Sequence, residues 1–189
     1  MYNYLKKKGF QDHTHREGSV KTFLYIFIMY LIFKIHTLCY NISKRKRTTL
    51  YMDNQQLIKM ALEARNKAYA PYSHFAVGSS VLTKDGQVYT GCNIENASFG
   101  ATNCAERTAI FKAVSEGKKE FVKIAIVGGK EGEDITEYAY PCGVCRQVMA
   151  EFCNTKELIV LIAKSEEEYL EMTLDELLPM SFGGSIWNI

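Results

Sequence analysis

Three cysteines in two separated blocks constrain this chain more than any other feature. Cys104 stands at the start of Cys104-Ala105-Glu106, and Cys142 and Cys145 stand in Pro141-Cys142-Gly143-Val144-Cys145. Each block sits where a loop or strand feeds a helical pattern. Cys142 and Cys145 are three apart at a helix start and so share a face; Pro141 suits the position just before that start. If the three sulfurs serve one metal ion, the fold must bring two helix N-termini together. Helix N-termini carry partial positive charge, which favours thiolate over thiol.

Three protein ligands leave a zinc ion one open position, the arrangement of a catalytic centre rather than a structural one. Glu106 is the candidate proton carrier for water held there. On a regular helix it does not share a face with Cys104, two residues earlier, so its placement rests on the geometry of the helix start. Arg107 is placed to offset the negative charge of three thiolates. Competing readings are a Cys-x-x-Cys redox pair, a structural zinc whose fourth ligand is Cys92, Cys153 or His74, and an ordinary exposed helical glutamate at 106. The joint presence of both blocks and the glutamate disfavours all three. Three disulfides from the six cysteines are disfavoured as well. A 189-residue chain with 47% apolar residues builds a core without staples.

The net charge of +2 hides an asymmetry. Residues 1–51 carry ten Lys/Arg and two Asp/Glu, whereas residues 52–189 carry thirteen and nineteen, a net of −6. The acidic body gives no electrostatic reason to bind nucleic acid. The first 51 residues read as an extension, distinct from a 52–189 domain. Phe23–Phe33 is an unbroken apolar run of eleven residues, and Lys44-Arg45-Lys46-Arg47 follows. Eleven is short of the roughly 20 residues that span a bilayer. A signal peptide lacks a small-residue cleavage site here. A start of translation at Met52 is preferred to a membrane anchor, because a strong helical pattern begins directly after it.

In the body, apolar residues at helical spacing predict a helix over 54–69, with Asp53 as its cap and Pro71 beyond its end. Strands are expected at 75–82 and 87–93, joined by the Lys84-Asp85-Gly86 turn. A helix follows at 104–116, then a buried strand at 121–127, a polar loop at 128–140, and a helix at 143–153. A strand at 158–163, a strand at 169–173 and a helical turn at 174–178 complete the chain. This order predicts an α/β domain.

Residues 52–189 resemble the small, zinc-dependent cytidine deaminase family over nearly their full length. The resemblance is carried by Tyr72-Ser73-His74-Phe75-Ala76-Val77-Gly78 and Gly91-Cys92-Asn93-Ile94-Glu95-Asn96-Ala97-Ser98. It continues through Thr102-Asn103-Cys104-Ala105-Glu106-Arg107-Thr108-Ala109 and Pro141-Cys142-Gly143-Val144-Cys145-Arg146-Gln147. It implies a three-layer α-β-α sandwich around a mixed sheet of about five strands. It also implies hydrolysis of cytidine and 2′-deoxycytidine to the uridines with release of ammonia, in pyrimidine salvage and in the cytoplasm. Zn2+ is then held by Cys104, Cys142 and Cys145, and Glu106 carries protons between water, the ring nitrogen and the leaving amine. Asn93 and Glu95 resemble the family's ribose-binding pair, and Phe75 the ring packed on the pyrimidine. From the residues alone, Asn93 reads more readily as a strand-end turn residue, and Phe75 reads as a core strand residue, a role compatible with packing on the pyrimidine. Ala105 helps to read the base by resemblance. Phe99 stands where the family usually has Tyr. Phe182 resembles an aromatic that reaches a neighbouring subunit's site, which implies a homotetramer. Other classes are a nucleic-acid base deaminase, disfavoured by the acidic body, a nucleoside-antibiotic deaminase, disfavoured by Asn93 to Asn96, and a zinc-stabilised binding module, disfavoured by Glu106.

Overall fold

The computed structural model describes residues 27–37 and 52–182. The chain divides into two units, Met1–Arg47 and Thr48–Ile189. In the first, residues 27–37 form a helix whose large apolar side chains, Phe27 to Phe33 and Ile35, are exposed. No helix among the described residues is long and apolar enough to cross a membrane. Residues 23–26 of the apolar run and the basic run at 44–47 lie outside the described residues.

The second unit is built on a five-stranded sheet in the order β2-β1-β3-β4-β5. Its strands are β1 (Phe75–Thr83), β2 (Val88–Cys92), β3 (Phe121–Lys130), β4 (Ile159–Ala163) and β5 (Tyr169–Thr173). Only the β3–β4 pair is parallel; β1–β2, β1–β3 and β4–β5 are antiparallel. The helices are α1 (Asn54–Arg65), α2 (Ala105–Ser115), α3 (Gly143–Phe152) and the single turn α4 (Leu174–Leu177).

Side chains alternate across a strand, and the core divides accordingly. Ile124 and Ile126 of β3 and Val160 and Ile162 of β4 join Ala109, Ile110 and Met149 on one face of the sheet. Ala125, Val127, Leu161 and Ala163 join Leu57, Ile58 and Ala61 of α1 on the other. One helix on one face and two on the other give the expected three layers. The continuous apolar runs of β3 and β4 follow from burial on both faces.

Two close approaches fix the layers. A Cβ at Gly78 would strike the Ala61 carbonyl oxygen and the Arg65 backbone of α1. A Cβ at Gly91 would strike the Ala105 carbonyl oxygen and the Ala109 nitrogen, so the start of α2 lies directly over β2. Buried Ser79 and Ser80 remain satisfied by donating to the Ala125 and Leu57 carbonyls at 2.9 and 2.7 Å.

Two boundaries differ from the sequence expectation by more than one residue. Helix α1 stops at Arg65, four residues short of 69. The chain is drawn off to pair with the segment after β2: Tyr69 N–H donates to the Asn93 carbonyl at 3.0 Å, and Glu95 N–H donates to the Tyr69 carbonyl at 2.8 Å. Strand β3 runs on to Lys130, three residues into the expected loop, because Gly128 and Gly129 pair with Val77 and Ala76.

Candidate functional site

The site lies at one end of the sheet, where β2 and β3 finish and β1 begins. Ile94 and Asn103 exchange two backbone hydrogen bonds, at 2.9 and 3.0 Å. That short pairing brings the residue before Cys104 against the segment carrying Asn93 and Glu95. Cys104 then serves as the N-cap of α2, in extended conformation, and Cys142 takes the same position on α3. Neither thiol caps its own helix, so both are free to point elsewhere.

They point at one another. The Sγ atoms of Cys104, Cys142 and Cys145 all lie within 4.8 Å of each other, and Cys104 and Cys142 are 3.9 Å apart. Tetrahedral ligation with Zn–S bonds of about 2.3 Å requires sulfurs about 3.8 Å apart, so the donor set fits zinc. No other such cluster of His, Cys, Asp or Glu exists among the described residues. The alternative fourth ligands are elsewhere: Cys92 Sγ donates to the Lys67 carbonyl at 3.2 Å, His74 faces Glu131 at 3.8 Å, and Cys153 packs against the core. All five described cysteines are free thiols.

Charge is arranged around the sulfurs. The hydrogen bond from Cys145 pulls the Cys104 thiol down to about 5, and Arg107 and Cys142 pull the same way. The Cys145 thiol moves far above its ordinary range because it donates to Cys104 and is buried. Arg107 holds the Thr102 carbonyl at 3.0 Å and reaches Cys104 Sγ at 3.6 Å, placing its positive charge against the cluster.

Glu106 is 3% exposed, in the first turn of α2. Burial pushes its carboxyl up to about 7, the range in which a group both gives and takes protons near neutrality. It lines a cavity of about 480 Å3 that also exposes Cys104, Cys142, Phe75, Asn93 and Glu95. The helix start resolves the offset between residues 104 and 106: Cys104 is the non-helical cap, and Glu106 is the second residue of the helix.

Asn93 is 8% exposed and stitches the sheet edge. Its Oδ1 accepts from Val77 N–H and its Nδ2 donates to the Phe75 carbonyl, each at 2.8 Å. One N–H and one lone pair remain available. Glu95 accepts from the backbone N–H groups of Tyr72 and Ser73 and from the Ser73 hydroxyl, at 2.9, 3.2 and 2.5 Å. These bonds, the Ser73 hydroxyl first, hold its carboxyl below the usual range. Phe75 lines the cavity with its ring beside Gly128, where a Cβ would come within 3.0 Å of Cε1.

Besides Cys145 and Arg107, which stand behind the cavity wall at the sulfur cluster, three expected substrate-binding residues are not in that wall. Ala105 is fully buried beneath Gly91. Phe99 is 75% exposed and packs edge-to-face with Tyr72, ring centres 6.0 Å apart. Phe182 is exposed, and its carbonyl accepts from Gln147 Nε2 at 2.7 Å. Conversely, Ser73, Val77, Thr102, Ile126, Ala139 and Tyr140 line the cavity without having been singled out. For Ser73, Thr102 and Tyr140, adjacency to the motif residues was the available signal.

Fold and site together define a zinc hydrolase of the α/β deaminase class. Residues 52–162 match the family described as Cytidine and deoxycytidylate deaminase zinc-binding region. The chain is 53% identical over 139 residues to a cytidine deaminase from Halalkalibacterium halodurans, covering 72% of this chain and 99% of the relative. It is 40% identical over 134 residues to a probable cytidine deaminase from Dictyostelium discoideum, covering 69% and 86%. Among solved structures, cytidine deaminase from Burkholderia pseudomallei superposes with a TM-score of 0.62 at 45% identity, covering 69% of this chain and all of that one. The Mycobacterium tuberculosis enzyme gives 0.60 at 38% identity, covering 70% and 99%. The chain belongs to the cytidine and deoxycytidylate deaminase family.

Proposed function

We propose that this chain hydrolyses the 4-amino group of cytidine and 2′-deoxycytidine, giving uridine or 2′-deoxyuridine and ammonia. The carrying observation is the shared cavity: buried Glu106 and the sulfurs of Cys104 and Cys142 open onto the same space as Asn93 and Glu95. Chemistry at an exocyclic amine needs the first set, and recognition of a sugar suits the second.

Cys104, Cys142 and Cys145 would hold zinc, which when bound would supply a Lewis acid able to bring the pKa of water to about 7. Glu106 moves the protons. It takes one proton from water and delivers it to ring N3 as the hydroxide oxygen adds to C4. It then takes the second proton from the new C4 hydroxyl and passes it to N4 as the C4–N4 bond breaks, so that C4=O forms and ammonia leaves. Burial raises this carboxyl above the ordinary range, toward neutrality, where a group serves both directions of transfer. The remaining N–H of Asn93 and the Glu95 carboxylate bind sugar hydroxyls. Phe75 packs against the pyrimidine face. Arg107 steadies the charge on Cys104.

We extend the reading to a homotetramer working in pyrimidine salvage in the cytoplasm, with residues 1–51 as an extension to the catalytic domain. Support for assembly comes from large apolar side chains left exposed, among them Phe99, Met180 and Phe182. Phe182 then acts across a subunit boundary, Phe99 contributes a ring without the hydroxyl of a Tyr, and Ala105 contributes through its backbone. Light scattering measures the assembly.

The test of the activity is a spectrophotometric assay with cytidine, deoxycytidine, cytosine and a short single-stranded DNA in parallel. Turnover of both nucleosides supports the proposal, and turnover of DNA alone overturns it.

A further inference from the structure

Tyr140 is a large aromatic residue, 59% exposed, on the wall of the catalytic cavity. Its side chain makes no hydrogen bond, ion pair or ring contact among the described residues. It precedes Pro141 and the metal ligand Cys142, so it stands at the reacting end of the cavity. Two residues of extended chain reach about 7 Å at most.

The sheet order places Tyr140 relative to Glu106. The start of α2, with Glu106, lies over β2, because Gly91 of β2 abuts Ala105 and Ala109. The 139–140 segment lies on the β3 side: a Cβ at Gly128 of β3 would come within 2.7 Å of Ala139 Cβ. Strand β1 separates β2 from β3. The cavity is therefore flanked by Glu106 from one side and by Ala139 and Tyr140 from the other.

A cytosine ring has two neighbours at C4, namely N3 and C5. If Glu106 serves N3, the opposite wall faces C5. We infer that Tyr140 is the specificity-determining wall at position 5 of the pyrimidine, limiting the size of the substituent accepted there. The inference rests on the cytidine reading above and on the role given to Glu106 in it.

The experiment compares kcat/KM for 5-methylcytidine with that for cytidine in wild type, Tyr140→Phe and Tyr140→Ala. A ratio taken on one preparation is independent of how many sites carry zinc. Tyr140→Ala raises the ratio at least about tenfold, the scale of one methyl group in a shaped pocket. Tyr140→Phe, which keeps the ring, leaves it within about twofold of wild type. An unchanged ratio in Tyr140→Ala, or an equal rise in Tyr140→Phe, overturns the inference. Failure of the wild type to turn over cytidine defeats the underlying functional reading instead, and wild-type turnover with an unmoved ratio defeats only the assignment of Tyr140.

Discussion

Cys104 Sγ lies 3.9 Å from Cys142 Sγ, although 38 residues separate them in the chain. Each belongs to the cap of a different helix. Packing of α2 and α3 on one face of the sheet brings them together, so the metal centre tests the fold as well as the chemistry.

Loss of one sulfur should empty the centre. Cys104→Ala leaves two thiolates and an uncompensated Arg107 nearby. Zinc bound after gel filtration is expected to fall from about one per chain to near zero, as measured by atomic absorption, together with all turnover. Retention of stoichiometric zinc would show that Cys104 is not a ligand.

Glu106→Gln preserves volume and removes the proton carrier. Zinc content should stay near one per chain while kcat falls by about 100-fold to 10,000-fold, the usual range for lost general acid–base catalysis. Steady-state kinetics beside metal analysis separates this from loss of the centre.

Burial of Glu106 has a consequence for stability once zinc is removed by a chelator. Its carboxyl rises from 4.5 to about 7 on folding, so the folded state holds the proton more tightly than the unfolded state. Its contribution is fully present below about pH 4.5 and is lost as pH rises through about 7, with a ceiling of roughly 3 kcal/mol. Because the Cys104 thiol, pulled down to about 5, works in the opposite sense over the same range, the Glu106 contribution is read as the difference between the zinc-free wild type and zinc-free Glu106→Gln. Urea denaturation of the two zinc-free proteins should show the wild type losing stability relative to Glu106→Gln as pH rises through about 7; parallel pH profiles would contradict this.

The tight seat of α1 makes Gly78 intolerant of a side chain. Gly78→Ala puts a methyl against the Ala61 carbonyl and the Arg65 backbone, neither of which is a flexible side-chain end. A loss of about 1–3 kcal/mol follows from overpacking, read as a lower urea midpoint. Gly91→Ala should act differently, displacing the start of α2 and lowering zinc affinity as well as stability.

Much of the fold was legible because its signals are local. The apolar runs of β3 and β4, the Asp85-Gly86 turn and the helical spacing of α1 each declare an element without reference to the rest. The early end of α1 was not legible, since it depends on Tyr69 pairing with Asn93 and Glu95, about 25 residues away. In the site, the three cysteines and Glu106 stand out by residue type and spacing. Asn93 was ambiguous for a physical reason: the structure uses its amide to extend the sheet edge while leaving part of its hydrogen-bonding capacity free. Tyr140 and Ala139 carry no motif of their own and join the cavity only because the chain must pass β3 to reach Cys142.

The most direct test of the central claim is cytidine turnover measured on one preparation as purified, after chelation and after zinc is restored. The account predicts deamination with about one zinc per chain, loss of activity with the metal, and recovery on adding it back. A zinc-replete protein that leaves cytidine unchanged, or a stripped one that deaminates it at the full rate, would contradict the account.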